Sequence, residues 1–244
     1  MSSDACLALM LDGPLQSWGH TSRFERRTTA LHPTRSGVIG MCAAALGIDK
    51  LAVGEEEQLS RFAPLRISTF TLPRRTARGE DVLMRRLEDY HTVTGIRRAG
   101  GKVGKVDDDA TVQTYRHYLL DARFGILIEG PTTVISELSA AVRNPKWGVW
   151  LGRKCCVPAT PLYVASGGTR TDCWTALLLR AGYHGSEPEE GFGRVLEVAA
   201  DEVGSERLED TPVAYGNPIG ERHTSRWILH VPKSGQAPVD IMPD

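Results

Sequence analysis

Four arginines crowd the segment after the first apolar run of this chain: Arg23, Arg26, Arg27 and Arg35, interleaved with Ser17, Thr21, Ser22 and Thr34. Guanidinium forks and hydroxyls at this density suit phosphate oxygens, which accept two parallel N–H donors from one Arg and more from Ser or Thr. Free amides at the start of a helix beginning near Ser36 would add to the same site. Lys102 and Lys105 join Arg97 and Arg98 in a second basic group, inside TGIRRAGGKVGKVDDDAT. Arg153 and Lys154 form a third, inside WLGRKCCVPATPL. Trp18 has two readings: it packs its loop onto the core, or it offers a stacking face to a base.

The same chain holds groups that could cut RNA without a metal. That reaction needs a base near a 2′-hydroxyl, an acid at the leaving oxygen and a cation on the phosphate. His20, His32, His91, Tyr115, His117 and Tyr118 are the proton-transfer candidates, with Lys102 or Lys105 as the cation. His91 and His117 make the best pair, because they fall on the two arms of one expected hairpin. No such set is fixed on one rigid element, so binding is the preferred reading over catalysis. Asp107, Asp108 and Asp109 read as a solvated charge run, since a flexible tip cannot hold octahedral geometry alone. Gly104-Lys105 is not a P-loop: Ala99 stands where the motif needs Gly, and Val106 where Ser or Thr would bind magnesium. There is no Gly-x-Ser-x-Gly elbow, no dinucleotide fingerprint and no Cys-x-x-Cys among the five cysteines. No metal and no cofactor is expected.

Several elements must position these groups. Cys6 to Leu11 reads as a buried first strand, ended by Gly13-Pro14. Val38, Met41, Cys42, Ala45 and Leu46 recur at helical spacing, with Thr34 or Ser36 as N-cap and Gly47 as C-cap. Gly37, Gly40 and Ala44 form a small-residue stripe that admits a close neighbour. A short helical turn is expected over Glu55 to Phe62, a strand over Leu65 to Thr71, and a long hairpin over about 82–120 with a flexible basic tip. Phe124 to Glu129 reads as a strand, Val134, Ile135, Leu138 and Val142 as one helix face, and Leu162 to Ala165 as the next strand. The order β-α-β-β-α-β with an inserted hairpin predicts an α+β, ferredoxin-like (RRM-like) domain over 1–165. Residues 166–244 carry short apolar runs between Gly, Pro and acids, and predict a small β-rich C-terminal domain.

Net charge is −1, but its distribution is uneven. Residues 71–105 hold nine basic and four acidic side chains, a local +5, whereas residues 186–210 hold nine acids and two arginines, a local −7. A polyanion would meet the first, while the second would face solvent or a basic partner. No apolar run approaches a membrane span and the N-terminus lacks a signal-peptide pattern, so a cytoplasmic chain with reduced thiols and no membrane partner is expected.

The runs GPLQSWG, SRFERR and HPTRSGVIGMCAAALGI, followed in order by LEDYHTV, TYRHYLLDARF and WLGRKCCVPATPL, resemble one known family. It is the CRISPR-associated RAMP superfamily, in the form that binds the crRNA 5′ handle in type I-E Cascade (CasD-like). The resemblance covers about the first two-thirds of the chain. It implies a RAMP domain with a hairpin thumb, and a non-catalytic crRNA-binding subunit of a Cascade surveillance complex that caps its backbone in antiviral defence. It implies three partners: the crRNA 5′ handle, the backbone subunit and the large subunit. Ser17, Trp18, Arg23, Arg26, Arg27, Arg35 and Ser36 fall in its signature, Arg97, Arg98, Lys102 and Lys105 in its thumb, and Arg153 and Lys154 in its third piece. The alternative is a metal-independent endoribonuclease that processes repeat RNA, as relatives in another CRISPR subtype do.

Overall fold

The computed structural model describes residues 4–19, 25–94, 111–216 and 222–234. Its first strand, β1 (Asp4–Asp12), is buried from Ala5 to Asp12. Strand alternation divides that run between two cores. Leu7, Leu9 and Leu11 enter one cluster with Val38, Ile39, Phe124 and Leu138. Cys6, Ala8 and Met10 enter another with Trp174, Leu177 and Leu178. The sheet is therefore covered on both faces, which is why β1 is apolar throughout.

Helix α1 (Arg35–Leu46) starts and stops where its caps predict: the Thr34 hydroxyl accepts from the Gly37 amide, and Gly47 closes it at φ 74°. The small-residue stripe admits close neighbours. A Cβ on Gly37 would lie 2.8 Å from Trp18, and one on Gly40 3.3 Å from the Tyr215 hydroxyl. Helix α2 (Glu55–Ser60), strand β4 (Arg66–Thr71), strand β7 (Arg123–Pro131), helix α3 (Thr132–Arg143) and strand β8 (Tyr163–Ser166) follow the expected order. Within the main sheet these strands lie β4-β7-β1-β8, and every neighbouring pair is antiparallel.

The region after residue 166 departs from expectation in two ways. Residues read as a short apolar run form helix α4 (Arg170–Arg180), started by a capping box between Thr169 and Asp172. It packs on the second face of β1. The three later strands, β9 (Arg194–Val198), β10 (Glu206–Pro212) and β11 (His223–Val231), build no sheet of their own. β9 pairs with β4 at Thr69 and Phe70, so the main sheet runs through seven strands in the order β10-β11-β9-β4-β7-β1-β8. The architecture is mixed α/β, and every pairing within the main sheet is antiparallel.

A second sheet holds the hairpin. Strand β5 (Arg85–Val93) pairs with β6 (Val112–Leu120) from Arg85 opposite Leu120 to Val93 opposite Val112. The other edge of β6 takes two short strands, β2 (Leu15–Gln16), antiparallel, and β3 (Arg26–Arg27), parallel. Among the described residues no helix is long and apolar enough to cross a membrane.

Candidate nucleic-acid interface

GPLQSWG is a structural hub. The Gln16 amide donates to the Leu11 and Ala122 carbonyls at 3.0 and 2.7 Å, and its oxygen accepts from Trp18 Nε1 at 3.1 Å. Trp18 is 1% exposed in the core, so of its two readings the packing one holds and no stacking face is presented. Ser17 is also buried; its amide donates to Leu151 O at 3.0 Å and its hydroxyl to His117 O at 3.2 Å. Gly152 makes this approach possible. It sits at φ 96°, and a Cβ there would collide with the Ser17 carbonyl. Two sequence pieces far apart in the chain thus meet at one point.

Arg153 completes the junction. It donates from Nη1 to His117 O at 3.2 Å and from Nη2 to Arg27 O at 2.9 Å, with its guanidinium 4.9 Å from the Tyr118 ring centroid. Strand β3 is thereby clipped to β6. The result is a cleft of about 320 Å³ lined by Ser17, Arg27, Thr34, Ser36, Gly152 and Arg153. Arg27 is exposed at its edge, and Lys154 is exposed beside it, its Nζ 5.9 Å from the Trp150 ring centroid. Arg26, also exposed, lies 3.6 Å from Glu88 and 5.4 Å over the Tyr115 ring. Ser36 contributes its position more than its hydroxyl, which is hydrogen-bonded to His223 Nε2 at 3.0 Å.

Arg35 leaves the candidate set. It is 4% exposed, and its guanidinium donates to Leu65 O at 2.8 Å, Phe62 O at 2.9 Å and Glu197 Oε1 at 2.7 Å. Arg226 joins the same cluster, holding Asp210 with Nε at 2.6 Å and Nη2 at 2.8 Å, and Glu197 at 3.0 Å. Asp210 also accepts the Arg35 amide at 2.8 Å. Thr34 takes the Gly37 and Val38 amides through its hydroxyl and carbonyl. An internal carboxylate and a cap therefore occupy the donors that a phosphate would have used. Burial tends to raise the Asp210 pKa, but the Arg226 hydrogen bonds and charge outweigh it and hold the carboxyl below its usual range. Beside it, burial depresses buried His32 from 6.5 to about 4.

The proton-transfer pair also separates. Across the hairpin Glu88 faces His117, while His91 faces Thr114. An odd offset of three strand positions puts the two histidines on opposite faces. Each is held by a carboxylate, His117 by Glu88 at 2.7 Å and His91 by Asp89. Arg23, Arg97, Arg98, Lys102, Lys105, His20 and the Asp107–Asp109 run lie outside the described residues.

The profile of the family described as CRISPR-associated protein (Cas5) matches residues 6–230. The chain belongs to the CRISPR-associated Cas5 family. Over 163 residues, 66% of this chain and 70% of the relative, it is 36% identical to the CRISPR system Cascade subunit CasD of Escherichia coli (strain K12). A chain of a solved CRISPR RNA-guided surveillance complex superposes with a TM-score of 0.66 at 26% identity, covering 93% of this chain and 90% of that one. The crystal structure of a Cas protein gives 0.59 at 28% identity, over 93% and 95% of the two chains.

Two features of this Cas5 chain are not visible in its sequence, and a third is visible only in part. Asp210, Glu197 and Arg226 come from the last third of the chain, and nothing local ties them to Arg35. The acidic segment containing Asp210 and Glu197 reads as solvent-facing or partner-facing until its strands are placed. Gly152 could have been singled out, because Leu-Gly-Arg-Lys after a Trp marks a turn, but its contact with Ser17 needs the fold.

Proposed function

We propose that this Cas5-family chain is a non-catalytic crRNA-binding subunit of a type I-E Cascade, holding the repeat-derived 5′ handle in antiviral defence. One observation carries the reading. Ser17, Arg27, Ser36 and Arg153, from separate sequence pieces, converge on a single cation-edged cleft beside the hairpin. Single-stranded RNA is held by such sites through phosphate contacts from Arg and Lys. Arg27, Lys154 and the outward side of Arg153 are the phosphate ligands, with Arg26 at the hairpin edge. Ser17 and Trp18 shape the cleft from beneath.

The strand order β4-β7-β1-β8, with α1 and α3 between the strands, supports a ferredoxin-like RAMP domain over 1–165. The β5–β6 hairpin then serves as its thumb, with Arg97, Arg98, Lys102 and Lys105 pressing on RNA near the first backbone subunit. The large subunit would be a further partner of the chain. The surveillance complex would work in the cytoplasm, and RNA binding of this kind needs no metal or cofactor.

Photocrosslinking tests the reading. A 5′-handle RNA carrying photoreactive nucleotides should crosslink to peptides containing Arg27 and Gly152–Lys154, and crosslinks confined to the opposite end of the main sheet would refute it. Repeat RNA incubated with the purified chain in EDTA should stay intact; cleavage at one site would replace this reading with the endoribonuclease.

A further inference from the structure

Three side chains from β10, β11 and the link between them reach the start of α1, where it walls the cleft. Asp210 Oδ2 accepts the Arg35 amide at 2.8 Å, the Tyr215 hydroxyl donates to Ser36 O at 2.7 Å, and His223 Nε2 meets Ser36 Oγ at 3.0 Å. The Tyr215 ring meets His223 edge-on, their centroids 6.4 Å apart. Of the three hydroxyl residues that line the cleft, Ser17 and Thr34 are buried. Ser17 gives its proton to His117 O, and Thr34 accepts the Gly37 amide. Ser36 is only half-buried, and its one side-chain partner is the imidazole of His223.

That bond can form in two ways, and they leave the cleft with opposite chemistry. Burial, the largest cause, holds the His223 pKa below its ordinary 6.5; Asp210 pulls it up and Arg222 pushes it further down. The ring is therefore neutral at pH 7 and carries one proton on one nitrogen. With that proton on Nδ1, Nε2 takes the Ser36 hydroxyl proton, and Oγ turns only lone pairs to the cleft. With it on Nε2, the ring donates to Oγ and the hydroxyl keeps its own proton to give. Phosphate oxygens only accept, so a phosphate in the cleft selects the second arrangement. We infer that His223 is a positioning residue for RNA: it holds the Ser36 oxygen so that the Ser36 hydroxyl donates to a phosphate oxygen of the handle. The inference rests on the RNA-binding reading above and deepens it. It adds a neutral donor to the cations at the cleft edge, and it gives β11 a part in a site whose other walls come from residues 17–37 and 152–153.

The test measures handle-RNA affinity of the full chain by fluorescence anisotropy over a range of salt. Ser36→Ala and His223→Leu should each weaken binding about tenfold, the loss of one hydrogen bond to a charged group. Neither should change the slope of log affinity against log salt, because a hydroxyl releases no counterion, whereas Arg27→Ala should. Combined, the two substitutions should cost no more than either alone. His223→Gln, whose side-chain amide keeps an N–H donor near the Nε2 position, should restore most of the lost affinity. If Arg27→Ala weakens binding and Ser36→Ala binds like wild type, the assignment fails while the RNA-binding reading stands. Ser36→Ala removes a single oxygen from a half-buried side chain, so this arm decides the question even if His223→Leu does not fold. Costs that add in the double variant, or a His223→Gln chain as weak as His223→Leu, would make His223 a packing residue and overturn the assignment. If the wild type binds no handle RNA, the RNA-binding reading fails and takes the assignment with it.

Discussion

Arg27 and Arg35 flank the same short loop and end in opposite environments. Arg27 is exposed at the cleft edge, whereas Arg35 is enclosed by carbonyls and Glu197. Residue type and spacing cannot separate these fates, because the partners that bury Arg35 arrive from the C-terminal strands. The two should behave differently on substitution. Arg35→Ala should cost about 3 kcal/mol of stability in urea unfolding, the low end for a broken buried pair because Arg226 still holds Glu197. Arg27→Ala should stay within about 0.5 kcal/mol of wild type and lose RNA affinity instead. Nearby, His32 adds a pH dependence. It titrates near 6.5 when exposed but is held at about 4 in the fold, first by burial and then by the charges of His230 and Arg226, opposed by the Pro33 carbonyl and Asp210. Between those values the unfolded chain takes the proton and the folded one does not. Stability should therefore fall as pH drops from about 6.5 to 4, by about 3 kcal/mol from this group. Thermal melts across that range check it, and His32→Asn should flatten the slope.

At the scale of elements, local signals were sufficient where a run was long or capped. Thr34 and Gly47 bound α1, and the continuous apolar β1 announced a strand covered on both faces. Helix α4 was harder to read, although Thr169 and Asp172 are a capping box and Cys173, Trp174, Leu177 and Leu178 lie on one helical face. Its run is short enough to pass for a strand, and only the second face of β1 decides between them. The hairpin was legible, but not which face each of its side chains takes. That depends on register, and the register places His91 and His117 on opposite faces. A base and an acid so divided cannot share one phosphate. His91→Ala and His117→Ala should leave crRNA maturation intact in cells that contain a processing nuclease, as read by northern blot. Purified wild-type protein cutting repeat RNA at one site, with either substitution abolishing the cut in a folded chain, would contradict this.

At the scale of the whole molecule, the uneven charge resolves into a folded pattern. Acids of the 186–210 segment are taken up internally: Glu189 by Arg170, Glu197 by Arg35 and Arg226, and Asp210 by Arg226. That segment is less of a negative surface than its composition implies. On the other side, Arg74 and Arg75 pair with Asp12 and Asp81, so part of the basic segment is also neutralised within the fold. Among the described residues, exposed cations remain around the cleft, with Arg27 and Lys154 the clearest there. Composition reported the segregation of charge, and only the paired strands report which charges remain. A chain of net charge −1 can then bind a polyanion through one local face.

The measurement that bears most directly on this account is the salt dependence of handle-RNA affinity for wild-type protein and for Arg27→Ala. Each phosphate contact to single-stranded RNA adds about 0.7 to the slope of log affinity against log salt. The wild type should give a straight line, and Arg27→Ala should bind more weakly with a slope shallower by about 0.7. Equal slopes and equal affinities for the two proteins would contradict the assignment of this cleft to the RNA backbone.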